Sequence, residues 1–439
     1  MRIVIKISLI ISLLAPFISG AEEFTLDRCL QTAYERNLDI RQKVLDLQKF
    51  EAKVSQAYSG VFPSISVTSG ASFIIEPTRA SSSMTNPATG DLMSVSYDNF
   101  DYGFQHALQI QQVLFSGQAF MGIKIAGAQR DLEQMNYELL KRNIKSQIEQ
   151  AFYAIIMTQK VVEIAQASYS QDTSHLRISE EKLKNGLASE FEVLRTSVKV
   201  SASRSELENA KLSNRLAQLY MFALLDMSFA EDAKFAGDFA KPTGIPPLDE
   251  ALKMAKENRL ELKIISRSVE SFGYLVNLYR ASYLPGIVAQ GKFSFAGASN
   301  QFGDYVAFDD FKKDWTVALG LQWTLFDGLN REAKIHETKT DLEKLKLQSE
   351  QILLGISFEI NQAYWQLAQY ELDYNAALSS IEEAQKMLDI ANVQYQGGLI
   401  TFVELNDAQL AFDATNLLYY KSLFNYNNAL SKFNRAIGR

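Results

Sequence analysis

From Trp315 to Leu325 the chain alternates strictly. Trp315, Val317, Leu319, Leu321, Trp323 and Leu325 alternate with Thr316, Ala318, Gly320, Gln322 and Thr324. This period of two predicts a strand with one wholly apolar face. Ile65, Val67, Ala71, Phe73 and Ile75 alternate with serines, Thr68 and Gly70. Tyr102, Phe104, Leu108, Ile110 and Leu114 alternate with Gly103 and glutamines. Ile287–Gly297 shows a weaker version around Phe293 and Phe295. The predicted strands cover about 64–75, 102–115, 286–297 and 315–326. A half-buried sheet in water also alternates. Strand length near that needed to cross a bilayer, small and polar residues on the second face, and aromatics near the strand ends favour a membrane barrel. Trp315 and Trp323 are the candidate membrane girdle. The loop Glu76–Asp101 reads as solvated, with Ser299–Asp314 as its shorter counterpart. Four strands cannot close a transmembrane barrel, whose smallest form has about eight. An open edge is not viable in lipid. The barrel is therefore shared between chains, and the pattern leaves two or three copies open.

A period near 3.5 governs the rest. Leu367, Tyr370, Tyr374, Ala377, Ile381, Ala384, Leu388, Ala391 and Tyr395 step by three and four, a seam that predicts coiled-coil packing. Val162, Ala165, Tyr169, Leu176 and Leu183 occupy equivalent places, interrupted by Asp172 and Ser179. A helix is predicted from Gly117 to about Lys184, roughly 100 Å at 1.5 Å per residue. Ser116-Gly117 and Asp327-Gly328 supply N-caps for this helix and its counterpart. Earlier helices are predicted from Leu26 to Ser59 and from Leu248 to Ser282, stopped by Pro63 and Pro285. Each long helix turns back at a matching break, Lys184–Ser189 and Gln396–Thr401. Gly186 and Gly398 suit the left-handed position after a helix. Ser189 and Thr401 cap the return helices, with Glu192 and Glu404 as capping-box partners. A long rod joined to a short barrel segment suggests a conduit.

The chain also matches itself. Leu26-Asp27 recurs as Leu248-Asp249, Leu114–Gly117 as Leu325–Gly328, Gln150–Tyr153 as Gln362–Trp365, and Gly186-Leu187 as Gly398-Leu399. The expected organisation is a signal peptide over 1–21, a first structural repeat over 22–228, a linker over 229–246 and a second repeat over 247–439. The signal peptide rests on Arg2 and Lys6, an apolar run to Ile18, and Ser19-Gly20-Ala21. The single cysteine, Cys29, excludes an intrachain disulfide, and three separated histidines give no zinc spacing. The formal charge of −7 argues against coating nucleic acid. His336-Glu337 lacks the second histidine of a metalloprotease helix, and neither a phosphate loop nor a nucleophile elbow occurs. The reading is therefore no enzyme, no cofactor, no metal.

In its order of motifs the chain resembles the TolC-like outer-membrane efflux protein family. The residues carrying this are Leu26-Asp27-x-x-Leu30 with Asn37-Leu38, Leu248–Leu252, Pro63, Leu284-Pro285, Phe326-Asp327-Gly328, and the two turns Gly186–Leu194 and Tyr395–Leu405. The resemblance implies an α+β membrane fold built as a duplicated helix-strand-strand-long helix-helix unit. It implies a homotrimer with one 12-stranded barrel in outer-membrane lipid, continuing into a coiled-coil periplasmic tunnel in a Gram-negative bacterium. The implied function is passive conduction in a tripartite efflux pump or type I secretion system. The implied partners are a periplasmic adaptor and an inner-membrane RND-type pump or ABC transporter. By position, Glu404 and Asp407 become the acidic gate ring and Tyr395 with Glu192 the gate latch. Gly186, Leu187, Gly398 and Leu399 become the tips that dock the adaptor. Glu404 stands where an aspartate is usual, and Ile400 where the family places a basic gate residue. Independently of the resemblance, Glu404 and Asp407 lie three apart on one helix face, and such a ring in a pore favours cations.

Two other classes compete. An exported periplasmic coiled-coil scaffold explains the heptads but not the apolar face of Trp315–Leu325. A secreted pore-forming toxin explains both but acts outside the cell.

Overall fold

In a computed structural model the chain is described over residues 23–73, 80–97, 102–299 and 312–439. The signal-peptide expectation lies outside these residues. The elements run β1 (Glu23–Phe24), α1 (Leu26–Arg36), α2 (Leu38–Ser59), β2 (Ser64–Phe73), β3 (Ala80–Thr85), β4 (Leu92–Tyr97), β5 (Tyr102–Phe115), α3 (Gly117–Lys184) and α4 (Glu190–Leu224). They continue with β6 (Lys234–Phe235), α5 (Leu248–Asn258), α6 (Leu260–Ala281), β7 (Gly286–Ser299), β8 (Lys312–Gln322), α7 (Asn330–Gln396) and α8 (Phe402–Ala436). The duplication is nearly exact in length. α1 and α5 have 11 residues, α2 and α6 22, α4 and α8 35, and α3 and α7 have 68 and 67. Contacts divide the chain into two compact units. One combines the chain up to Lys43, Tyr137–Leu260 and Leu354–Arg439; the other combines Val44–Asn136 and Glu261–Leu353.

The first unit is helical. Its core gathers Phe24, Cys29, Ile148, Phe152, Ile155, Met221, Phe222, Phe235 and Phe239. The segment read as a linker therefore contributes to this core. Lys234-Phe235 pairs in parallel with Glu23-Phe24, and Phe24 stacks on Phe235 at 5.3 Å. Cys29 is fully buried, and desolvation pushes its thiol up to about 12. The seam predicted on α7 faces inward, with Leu367, Tyr374, Ala377, Ala384, Leu388 and Ala391 all buried.

The two helices predicted as continuous, Leu26–Ser59 and Leu248–Ser282, are each broken, at Asn37 and at Arg259, and the second ends at Ala281. Their ψ values, 126° and 120°, lie outside the helical well. The Asn37 side-chain oxygen accepts from the N–H groups of Asp39 and Ile40, starting α2, while its amide donates to the Leu224 carbonyl at 3.1 Å. Arg259 does the second job with different chemistry, donating to the Ala436 carbonyl at 3.1 Å and to Glu359 at 2.7 Å. Leu224 and Ala436 end α4 and α8, so each break supplies a buried donor to the carbonyl end of a return helix. Each helix is followed by a left-handed residue, Asp226 (φ 50°) or Gly438 (φ 81°). The Asp226 carboxylate accepts from the Leu38 N–H at 2.7 Å.

The second unit holds a four-stranded antiparallel sheet in the order β2-β5-β7-β8. Register aligns the faces across all four strands. Val67, Leu108, Phe293 and Trp315 form one cross-strand row, and Ile65, Ile110, Gly291 and Val317 the next. The opposite face carries the row Ser66, Gln109, Lys292 and Thr316. Both edge strands are exposed along their whole length, and Val317 is 86% exposed. The strand predicted at 315–326 runs instead from Lys312 to Gln322. Its ladder stops where Gln322 pairs with Gly286, because Pro285 has no N–H to offer. Beyond it, the Leu325 carbonyl accepts from Arg331 at 3.3 Å, and the Trp323 indole donates to the Tyr283 carbonyl at 3.0 Å. The strand expected at 286–297 extends to Ser299, and the one at 64–75 is described as far as Phe73.

The loop read as solvated over Glu76–Asp101 contains a hairpin, β3 against β4, turning through Asn86–Asp91. The serine run of β3 carries no apolar alternation, and the short alternation of β4, Met93, Val95 and Tyr97 against Ser94 and Ser96, stands alone. Ser116 caps α3 as expected, accepting from the Ala119 N–H at 3.2 Å. Asp327-Gly328 does not start α7 directly. Gly328 and Leu329 both have positive φ, α7 begins at Asn330, and the Asp327 carboxylate pairs with Arg331 at 3.0 Å.

The burial of Cys29 makes a simple test. Native protein should give no maleimide adduct at neutral pH, and denatured protein one adduct per chain, read by mass spectrometry.

Candidate functional site: hairpin tips and an unclosed sheet

The tips of the helical hairpins lie in the first unit. α3 ends with the Leu187 N–H donating to the Lys182 carbonyl at 2.8 Å and Gly186 to Leu183 at 2.9 Å. α7 repeats this with Leu399 to Gln394 at 2.9 Å and Gly398 to Tyr395 at 3.1 Å. Gly186 and Gly398 hold φ of 74° and 71°, a conformation that other residues adopt only under strain. The bonds leave Leu187 and Leu399 each 77% exposed, two matching apolar side chains at the ends of the hairpins.

Glu404 completes the capping box at α8. Its carboxylate accepts from the Thr401 N–H at 2.7 Å and hydroxyl at 2.9 Å, while its own N–H donates to the threonine oxygen at 3.3 Å. The Thr401 backbone bond, and then the hydroxyl bond, hold the Glu404 pKa below its ordinary value. The cap is therefore intact at neutral pH and lost on acidification through that lowered pKa. Asp407 is exposed one turn along. Both acids line one open groove of about 730 Å³ with Lys386, Met387, Ile390, Gln394 and Ile400. Ile400 also packs against the apolar cluster of Leu388, Ala391, Leu405 and Ala408. An apolar seal thus stands where the resemblance places a basic residue.

Tyr395 and Glu192 are not brought together within the chain. The Tyr395 hydroxyl takes its hydrogen bond from Lys182 Nζ at 3.3 Å, with the ammonium 5.4 Å from the ring centre. Glu192 sits on α4, where its N–H donates to the Ser189 cap at 3.2 Å.

Sequence reasoning passed over a second group. Asp172 is buried and pairs with Lys199 at 2.9 Å, and Lys199 also donates to Asn406. Ser168 donates to Asp413 at 2.7 Å, and His175 meets the Phe402 ring edge-on at 5.0 Å. Burial, then Lys199, holds the His175 pKa below its ordinary value. The signal was present as the interruptions of the first seam, Asp172 and Ser179. A polar residue at a seam position is a buried polar residue in need of a partner.

In the second unit, the Trp315 and Phe293 rings pack at a tilt, centres 4.2 Å apart, on the apolar face of the sheet. Trp323 lies just past the strand end. Among the described residues no helix is long and apolar enough to cross a membrane, and no acidic, histidine or cysteine cluster has a metal-binding arrangement.

Comparison with known proteins agrees with this geometry. The model of the outer membrane efflux protein family matches residues 29–225 and 251–439. The fold is similar to the CmeC outer membrane channel of Campylobacter jejuni, at 16% identity and TM-score 0.72, over 94% of this chain and 85% of that one. It is also similar to the open state of the Neisseria gonorrhoeae MtrE outer membrane channel, at 14% and 0.73, over 94% and 88%. The Vibrio cholerae outer membrane protein VceC gives 14% and 0.71, over 94% and 96%. A sequence comparison with curated proteins finds no match. With both copies of the duplicated unit matched, the chain belongs to the outer membrane efflux protein family, whose members are placed in the Gram-negative outer membrane.

Proposed function

We propose that three copies of this chain close a 12-stranded barrel and form the exit duct of a tripartite efflux pump. The observation that carries this reading is the sheet. Its register lines up one apolar and one polar face, and among the described residues each edge strand has a neighbour on one side only. In lipid each unpaired backbone group costs several kcal/mol, so copies must pair edge to edge. Three copies supply 12 strands with the apolar rows outward and the serine- and glutamine-rich rows lining the lumen. Helical surface supports self-association as well. α7 leaves Leu354, Phe358, Trp365 and Leu372 exposed on a face distinct from its buried seam. A heptad face of this kind calls for a neighbouring helix.

The hairpin tips then form the inner end of the duct. Glu404 and Asp407 from three copies give six carboxylates around one axis, a ring that favours cations. Leu187 and Leu399 offer apolar contacts to a periplasmic adaptor, which joins the duct to an inner-membrane RND-type pump or ABC transporter. Conduction is passive, with the energy supplied by that partner.

The native mass of detergent-extracted protein should equal three mature chains, with no stable detergent-free form. A two-chain species would overturn the 12-stranded closure, and a soluble monomer would overturn the barrel. In planar bilayers, replacing Glu404 and Asp407 together by alanine should move the cation-to-anion permeability ratio toward about one. An unchanged ratio removes the acidic ring. Tyr395→Phe deletes only the hydroxyl that bonds Lys182. Resting conductance should rise by about tenfold or more, the equivalent of one hydrogen bond to a charged group, and an unchanged conductance removes Tyr395 from the closure of the tip.

A further inference from the structure

The polar face of the sheet is built almost wholly from small and uncharged residues, and its few charges sit in a definite order. The two rows nearest the helix-side end, which include Gln111 with Gln290 and Val288 with Gly320, carry none. The third row sets Lys292 between Gln109 and Thr316. Asp314 follows one row further out, paired with Ser294, and Lys312 one row beyond, paired with Ala296. Among the described residues no other strand position on this face is charged. Asp314 and Lys312 are two apart on β8 and oppose each other. Lys292, alone on β7, is the uncompensated charge and the one nearest the helices. It is partly buried. Lysine is depleted in strands, and the threonine or glutamine used elsewhere on this face would fit the position without a charge to solvate.

We propose that Lys292 sets the class of cargo the barrel favours: in three copies it forms a cationic ring in the lumen that draws in solutes bearing a carboxylate, sulfonate or phosphate group. This inference rests on the duct reading, because the ring exists only where the polar face is enclosed. Twelve strands about 4.8 Å apart and tilted about 40° give a barrel about 24 Å across between backbones. A lysine side chain reaches about 6 Å inward from that wall. The centre of the bore then lies about 6 Å from each ammonium, inside the Debye length of about 8 Å at physiological ionic strength. A solute anywhere in the cross-section feels the ring, and the low-dielectric wall concentrates its field. Charged rings of this sign are how pores favour anions. The sign is opposite to that of the proposed Glu404 and Asp407 ring, so the barrel discriminates independently of the tip.

A thiol placed beside the ring reads its potential. Gln290 lies two residues from Lys292 on the same face, about 7 Å away. In the full-length protein reconstituted in lipid vesicles, Gln290→Cys supplies the one reactive thiol, because Cys29 is buried and its thiol is pushed up to about 12. An anionic and a cationic methanethiosulfonate are compared for rate. The anionic-to-cationic ratio should fall about fivefold when Lys292→Gln is added in about 0.01 M salt, and the difference should vanish in about 1 M salt. Lys292→Glu should reverse the preference, which a lysine serving only the fold would not do. Equal ratios with and without Lys292 at low salt overturn the ring. Val317→Cys, on the apolar face, separates this failure from that of the duct. If Val317→Cys is protected from both reagents while Gln290→Cys reacts, the barrel stands and the ratio alone decides the ring. If Val317→Cys reacts as fast as Gln290→Cys, or Gln290→Cys reacts with neither reagent, the enclosed lumen and the ring fall together.

Discussion

Backbone N–H and C=O groups cannot be left unpaired in hydrocarbon, and most of this architecture follows from that one constraint. A sheet of four strands with an apolar face satisfies its interior and leaves two edges unsatisfied. No side-chain rearrangement repairs an open edge, because the missing partner is a strand. In the proposed duct that partner strand comes from a further copy of the chain, and symmetric closure lets one interface serve at every seam.

Legibility followed the same logic. The strand pairs were readable because one face of the sheet is wholly apolar, so Trp315, Val317, Leu319 and Leu321 announce themselves without help. The long helices were readable from Gly117 to Lys184 because a heptad seam is repetitive and the glycines that end it are conformationally necessary. What escaped was set by single side chains acting over distance. Asn37 and Arg259 interrupt helices whose apolar pattern runs straight through, and each does so by reaching a carbonyl on a helix far away in sequence. The end of the last strand depends on Pro285 in a different strand's approach. In the β3–β4 hairpin β3 centres on a serine run, for which period-two patterning has nothing to report, and the alternation of β4 is too short to stand out from a polar loop. At the tips the turns and the Thr401–Glu404 capping box were legible, whereas at Ser189 only the Glu192 N–H bond forms and the reciprocal side-chain bond does not. The resemblance paired Tyr395 with Glu192, and within one chain Tyr395 meets Lys182.

The two copies show what a duplicated fold conserves and what it releases. Helix lengths, left-handed residues and hairpin turns recur nearly residue for residue, because they are fixed by backbone geometry. Side chains at many other equivalent places have diverged, as between Asn37 and Arg259 or between Lys199 and Ala411. Backbone plan and side-chain function are separable here, and the asymmetry between hairpins arises in the second without disturbing the first.

The central pairing of the sheet joins β5 of the first copy to β7 of the second. These strands are separated by two long helices, so their ladder closes a very large loop. Sheets of that kind form slowly and late. Synthesis from the N-terminus delivers β2 and β5 long before β7 exists, so until then β5 lacks its second neighbour. The order of synthesis thus imposes a waiting period in which aggregation competes with folding. Completion of the sheet waits on the whole chain between β5 and β7, however fast its helices form.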